Sequence, residues 1–508
     1  MRESRVKKSI TNVKVNTICY VFAFLVAFFT RKVFIDYFGT EFIGLASTLQ
    51  SLLGFLNLAE LGVSSAIAYF LYRPLFDSDQ TKIRELVSLM GYIYRIIGRV
   101  ILGAGILLSL FLPLIYPDVQ FPLHVVYTGY FAFLFSALLG YFCNYKMVLL
   151  SADQKNYIIT GYYQVTSILK AILQMVLAIY FTNFILYFAI ELLFGIINSV
   201  ILNYNIHRNY PWLSTDLTQG RQLFKLYPEV WRKVRNLFFH KIGGFVQCQI
   251  MPFLVYGFVS LPMVAIYTNY TIITDKVRGV IISVLGSTSA GVGSLIAEGD
   301  ETKIDKIFSE LFFLAIFFAF VVSSAIYFVI SDFISLWIGA EYILSDAVTF
   351  LICLSLFLSI SREGVNQFIF GYGLFHDIYA PLAESVIFVI SSLIFGSLYG
   401  LLGVLLGPII SLLLVVHIWK PYFLYTRGFK RSYFHYWILF LSHILPLVLS
   451  YFITIFILQY IHISISFAWL AWIVDAILFV SIETIVGLIL LYPFSKGLRG
   501  FISRFIKL

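Results

Sequence analysis

The chain has 508 residues, of which 60% are hydrophobic and 12% charged, and its formal net charge is +9. A soluble protein of this size carries about 25% charged residues, so a soluble enzyme is excluded and a polytopic membrane protein is indicated. The positive charge invites a nucleic-acid partner, but Lys and Arg fall in alternate loops, where they read as a topology signal, and no nucleic acid is expected.

The N-terminus is basic and then apolar, but no small-residue cleavage site follows "CYVFAFLVAFFTRK", so it is read as a first transmembrane helix rather than a signal peptide. A span needs about 20 apolar residues. About fourteen are predicted, at 13–36, 40–72, 86–115, 122–150, 157–181, 183–206, 237–259, 262–296, 306–331, 343–373, 377–398, 401–424, 436–460 and 468–492. The longest must tilt or project from the hydrocarbon.

One set of loops holds the basic residues: Arg2 to Lys14, Arg73 to Arg84, Lys155, Arg208 to Arg235, Lys303 and Lys306, Lys420 to Arg431, and Lys496 to Lys507. The alternate loops lack Lys and Arg, apart from Arg31 and Lys32 in the first. Both termini are therefore expected on the cytoplasmic side. The segment 207–236 has Leu223, Phe224, Tyr227, Val230, Trp231 and Val234 at helical spacing and predicts an interfacial amphipathic helix.

Shifting the sequence by 221 positions lays "DSDQTKIREL" (77–86) over "EGDETKIDKI" (298–307), and a one-residue slip brings "SADQKNY" (151–157) near "YGLFHDIY" (372–379). Six spans separate the copies. Parallel repeats follow, with a substrate site expected between them near the midplane. The domain expectation is an N-lobe at 1–206, a linker at 207–236, a C-lobe at 237–427, and two further spans with a basic tail at 428–508. The fold class is an all-α polytopic protein of two six-helix lobes plus two C-terminal helices.

Charges inside spans are costly and mark function. Arg95, Arg99, Lys146, Lys241 and Lys420 lie toward span ends, where long side chains snorkel. The deeper set is Glu60, Lys170, Glu191, Asp275, Lys276, Arg278, Arg362 and Glu363. Asp275 and Arg278 are i,i+3 and can pair. Arg362 and Glu363 are adjacent, so each is expected to find its partner elsewhere. Two readings stand side by side. The charges lock helices together as ion pairs, or they line a wet cationic chamber that receives an anionic headgroup. Glu60, Asp275 and Glu363 are ion-coupling candidates, with H+ or Na+ as the ion. The glycines of the second and eighth spans (Gly44, Gly54, Gly62, Gly279, Gly286, Gly291 and Gly293) read as close packing or as points of bending. Cys19, Cys143, Cys248 and Cys353 are scattered and form no metal spacing, and no cofactor, metal or catalytic motif is found.

The block "RKVFIDYFGTEFIGLASTLQSLLGFLNLAELGVSSAIAYFLY" and "SREGVNQFIFGYGLFHD" resemble the polysaccharide transporter family, the Wzx-type O-antigen flippases of the multidrug/oligosaccharidyl-lipid/polysaccharide exporter superfamily. The resemblance covers the first twelve spans. It implies a V-shaped, alternating-access transporter in the bacterial inner membrane. The substrate would be an undecaprenyl-diphosphate-linked oligosaccharide, and the partners membrane lipids and the polymerase and glycosyltransferases of the pathway. Arg31, Lys276, Arg278 and Arg362 are then the expected diphosphate contacts. The rivals are a cation-coupled multidrug antiporter, which would want an acidic cavity, and a membrane polymerase or glycosyltransferase, which would want a large outer loop. The lipid-linked peptidoglycan-precursor flippases share fewer of these features.

Overall fold

The computed structural model describes residues 5–505 apart from 118, 154, 287, 375–378 and 462–464. Arg2, Lys507 and the 375–378 part of the second repeat match lie outside the described residues. Those described are helical almost throughout, with no strand among them. Lipid supplies no hydrogen bonds, so a span must satisfy its own backbone, and the helix does this within one segment. Eleven described helices are long and apolar enough to cross a membrane. The three other expected spans fall on α1, α2 and α10.

The chain divides into two compact units, Met1–Tyr256 and Gly257–Leu508. In the first, α1 (Arg5–Leu56) is kinked at Gly39, whose φ of 80° suits a residue without Cβ. A 3₁₀ turn at Asn57–Glu60 leads to α2 (Val63–Asp77), α3 (Gln80–Ser109) and the short α4 (Leu112–Ile115). There follow α5 (Leu123–Phe142), α6 (Met147–Ala152), α7 (Asn156–Phe181), α8 (Phe184–Asn209), α9 (Gly220–Leu226) and α10 (Pro228–Phe258). Helix α1 lies along α7, and α8 packs on both α5 and α7.

In the second unit come α11 (Leu261–Gly286), α12 (Ser289–Glu298), α13 (Glu301–Trp337), α14 (Asp346–Ser361), α15 (Glu363–Gly371), α16 (Tyr379–Tyr399) and α17 (Leu401–Ser411). Helix α17 runs on through π-helical turns at Leu412–Trp419 and Leu424–Gly428 that flank α18 (Lys420–Phe423). The chain ends in α19 (Phe434–Leu458), α20 (Ala468–Leu491) and α21 (Lys496–Phe505). Helix α13 is the hub. Phe308, Phe312 and Phe313 on it are buried with Phe368, Tyr436, Leu447, Leu491 and Leu498, so α19, α20 and the tail helix α21 all fasten to it. Gly497 lets α21 approach closely, since a Cβ there would lie 2.0 Å from the Ser309 carbonyl oxygen.

The 221-residue offset recurs in the element order. Gly39, where α1 kinks, matches Ser260, between α10 and α11. Helix α3 begins at Gln80 and α13 at Glu301. Asp79 caps the first by accepting from the Lys82 N–H, and Asp300 caps the second by accepting from Thr302 and Lys303. Ser78 and Gly299, each just before its cap, are both left-handed, with φ of 59° and 74°. The buried Ile83 and Ile304 complete the match. Helices α5, α7 and α8 correspond in the same way to α14, α16 and α17.

Several expected spans are broken. The 40–72 span is interrupted at Asn57–Gly62, where Asn57 accepts from the Tyr141 hydroxyl at 2.8 Å and Glu60 from that of Tyr94. The 343–373 span breaks at Arg362, and the 262–296 span between α11 and α12. The glycines there are not packing glycines: a Cβ on Gly279, Gly286, Gly291 or Gly293 would meet nothing within 4 Å. Gly54 is one, because its Cβ would clash with the Gln249 side chain.

The linker also differs from expectation. Pro228 lacks an N–H and restricts Tyr227, so α9 ends there and a new helix begins. Nothing stops that helix, and α10 runs through the expected seventh span to Phe258. The linker is docked rather than free. Arg84 Nε donates to the Trp212 carbonyl at 3.0 Å, the Asp216 N–H to Ser88 Oγ at 3.0 Å, and Lys233 Nζ sits 4.6 Å from the Tyr69 ring centroid. Leu223, Val230 and Val234 are buried, while Phe224 and Trp231 stay exposed.

Candidate functional site

Each unit carries its own charged groups. In the first, the Gly39 kink folds the two segments of α1 toward each other. Arg31 and Phe34 from one segment and Phe42, Ser47 and Gln50 from the other line a small cavity of about 100 Å³, closed by Tyr187 of α8. Tyr187 is held edge-on by Phe34, Phe38 and Phe42, with centroids 5.4, 5.7 and 5.2 Å away. Lys32 instead pairs loosely with Asp36 at 3.7 Å on the exposed side.

Glu60 lies in the 3₁₀ turn, and its carboxylate accepts from the Tyr94 hydroxyl. Tyr94 and Tyr141 are both buried, with ring centroids 5.4 Å apart. A broken helix here frees the turn's backbone and presents the Glu60 carboxylate to Tyr94 and the Asn57 amide oxygen to Tyr141.

In the second unit, Asp275 and Arg278 pair at 3.2 Å along α11, as their i,i+3 spacing implies. Asp275 and Lys276 are exposed, and the Arg278 side chain is 38% exposed. Arg362 and Glu363 do not turn apart as expected. The break between α14 and α15 lets Arg362 Nε come within 3.6 Å of Glu363 Oε1. Arg362 also reaches Glu384 of α16 at 3.8 Å, and Asn366 donates to Glu363 at 3.0 Å. Glu363 and Glu384 are both buried.

Glu384 was not among the expected charges. Its signal was a lone acid in the apolar run "YAPLAESVIFVI". The same holds for Glu483 in α20, which is fully buried and accepts from Ser450. Lys170 and Glu191 form a third pair, at 2.7 Å between α7 and α8. The structure thus joins Asp275 with Arg278 and Arg362 with Glu363, and it sets Arg31 and Glu60 in separate surroundings of the first unit. Lys170 with Glu191 and Arg362 with Glu384 pair between helices, whereas Asp275 and Arg278 pair within α11, and Lys276 and Arg278 remain accessible in the middle of that apolar helix.

No protein-family model matches the sequence, and no curated protein matches it significantly. Solved structures do. One is the lipid II flippase MurJ in an inward closed conformation, at 15% identity over 92% of this chain and 97% of that one, with a TM-score of 0.60. Another is the inward-facing conformation of a multidrug resistance MATE family transporter of the MOP superfamily, at 15% identity over 82% and 97%, with a TM-score of 0.55. The chain therefore shares the all-helical fold of these structures, and eleven of its described helices are long and apolar enough to cross a membrane.

Proposed function

We propose that the protein is a flippase for an undecaprenyl-diphosphate-linked oligosaccharide, the repeat unit of an O-antigen, capsule or exopolysaccharide. It works by alternating access in the bacterial inner membrane, with both termini cytoplasmic. Arg31, Lys276, Arg278 and Arg362 contact the diphosphate, Arg by bidentate donation and Lys as a point charge. Glu60, Asp275 and Glu363 are the candidates for coupling to H+ or Na+.

The observation that carries this reading is the accessible Lys276 and Arg278 in the middle of α11, an apolar helix long enough to span. Charge costs several kcal/mol against lipid, so these groups are kept for water and an anion. The likeness of the fold to a lipid II flippase supports the lipid-linked class. Deleting the gene tests it. Short lipid-linked units should accumulate on the cytoplasmic leaflet, and long unligated polymer would argue against the reading.

A second reading, a cation-coupled multidrug antiporter, rests on the buried carboxylates Glu363 and Glu384 and on the likeness to a MATE transporter. It expects drug sensitivity with normal surface sugar in the same deletion strain.

A further inference from the structure

In the first unit, α5, α7 and α8 line a half-open cavity of about 560 Å³. That lies within the roughly 300–1,000 Å³ of small-molecule sites. At about 30 Å³ per molecule it equals roughly 19 waters, far more than one bridging solvent. It runs along α7 from Ile159 to Lys170, about 16 Å at 1.5 Å per residue.

Its inner end carries charge but no net charge. Lys170 Nζ meets Glu191 Oε1 at 2.7 Å, and Gln174 Nε2 donates to Glu191 Oε2 at 3.4 Å. With its cation taken, the cavity has nothing to hold a phosphate. Its walls are amides and hydroxyls. Asn144 Oδ1 is occupied by Ser199 at 2.7 Å and Asn203 at 3.1 Å, and Asn198 Oδ1 by Thr166 at 3.3 Å. Among the described residues, the NH₂ groups of both asparagines and the Ser167 hydroxyl are left without a hydrogen-bond partner where they line the cavity. Tyr163 and Phe194 also line it.

In the second unit the matching helices are welded together. A Cβ on Gly403 would lie 1.8 Å from the Phe395 carbonyl oxygen, and one on Gly407 1.8 Å from Ser392 Oγ.

We propose that this cavity is a binding subsite for an uncharged, hydroxyl-rich ligand, a sugar residue. Spare amide and hydroxyl donors meet ring hydroxyls, the rings of Tyr163 and Phe194 face the apolar side of a pyranose, and the Lys170–Glu191 pair offers both a donor and an acceptor at the end. The sugar can come free from solution or as the glycan of a lipid-linked substrate. The subsite does not depend on the cationic groups assigned to the diphosphate.

The test uses the full-length protein in proteoliposomes, with Ser167→Cys introduced after Cys19, Cys143, Cys248 and Cys353 are each exchanged for Ala. The introduced thiol should react with a small methanethiosulfonate reagent. Free chitobiose, at a concentration well above a roughly 1 mM Kd, or undecaprenyl-diphosphate-linked N-acetylglucosamine in the bilayer should slow that reaction about five-fold or more. Protection by both marks a site open to free sugar, and protection by the lipid-linked form alone marks the substrate glycan. An added Asn198→Leu exchange should leave the thiol reactive and remove the protection. The proposal is overturned if the thiol is unreactive, if neither sugar protects it, or if inorganic diphosphate protects it equally. None of these results alters whether lipid-linked units are trapped in the deletion strain, so the two readings fail separately.

Discussion

Asp79 and Asp300 stand 221 residues apart and do the same work, each accepting backbone N–H groups at the start of a long helix. The residue before each is left-handed, but Ser78 is not a glycine and Gly299 is. A left-handed L-residue costs roughly 1–2 kcal/mol, and glycine's extra chain entropy returns roughly 0.5–1 of it. Gly299→Val should therefore destabilise by up to about 1.5 kcal/mol, while Ser78→Gly should be neutral or gain up to about 1.5 kcal/mol. Thermal melts in detergent check both, and equal losses would refute the shared geometry.

The cap also sets a pH dependence. Hydrogen bonds from the Thr302 hydroxyl and the Lys303 N–H hold the Asp300 carboxyl below its usual value of 3.8. A folded value below the unfolded one stabilises fully above the unfolded value, and that contribution is lost as the pH falls through the folded value. Acidification below about 3.8 should thus lower the melting point of the wild type more than that of Asp300→Asn. Parallel acid curves would count against the cap.

The spans were legible in the sequence because lipid imposes one demand, an apolar helix of sufficient length. The repeat was legible at "TKI" because those residues sit at a cap, where geometry dictates residue type. The breaks were not legible. Asn57 and Glu60 look like ordinary polar residues until Tyr141 and Tyr94, remote in sequence, supply their partners. Asp275 with Arg278 could be read from helical spacing, whereas Arg362 with Glu384 depends on how α16 packs. The cavity beside Lys170 leaves no periodic trace, because its shape comes from three helices failing to close.

That cavity end makes a prediction of its own. Lys170 and Glu191 are mostly shielded, with side chains 23% and 17% exposed. Lys170→Met would strand the carboxylate and should cost about 3 kcal/mol, whereas Lys170→Met with Glu191→Leu should recover most of it. Melts of the single and double variants form the cycle. Additive losses would mean that the two groups do not interact.

Arg362 lies between two buried acids, so structure and function are entangled there. Arg362→Leu should destabilise by about 3 kcal/mol, because two carboxylates lose their cation. Adding Glu384→Gln removes one of those two charges and should restore part of the melting point. If Arg362 also meets the diphosphate, transport stays lost in the double variant. Restored transport would reduce Arg362 to a helix lock.

Gly403 tests the welded half of the repeat. Its Cβ would fall 1.8 Å from a backbone oxygen rather than a flexible side chain, so α16 and α17 must part to admit even a methyl group. Gly403→Ala should cost about 2 kcal/mol or more. Gly279→Ala, where a Cβ meets nothing within 4 Å, should gain up to about 1 kcal/mol from helix propensity. Paired melts decide, and a harmless Gly403→Ala would mean that the two helices are looser than drawn.

Arg278 carries the functional claim. Its guanidinium pairs with Asp275 at 3.2 Å yet keeps 38% of its side chain exposed, so it can still reach an anion. Arg278→Ala should abolish transport while the protein inserts normally, because Asp275 then faces the ligand without its counter-charge. Arg278→Lys keeps the charge but loses the planar fork, so part of the activity should survive. Asp275→Asn should leave the cation in place and tighten diphosphate binding rather than abolish it, unless Asp275 carries the coupling ion. In that case binding persists and transport no longer responds to the ion gradient. Complementation of a deletion strain, with membrane insertion measured alongside, distinguishes these outcomes. Full complementation by both Arg278 variants would remove α11 from the substrate site.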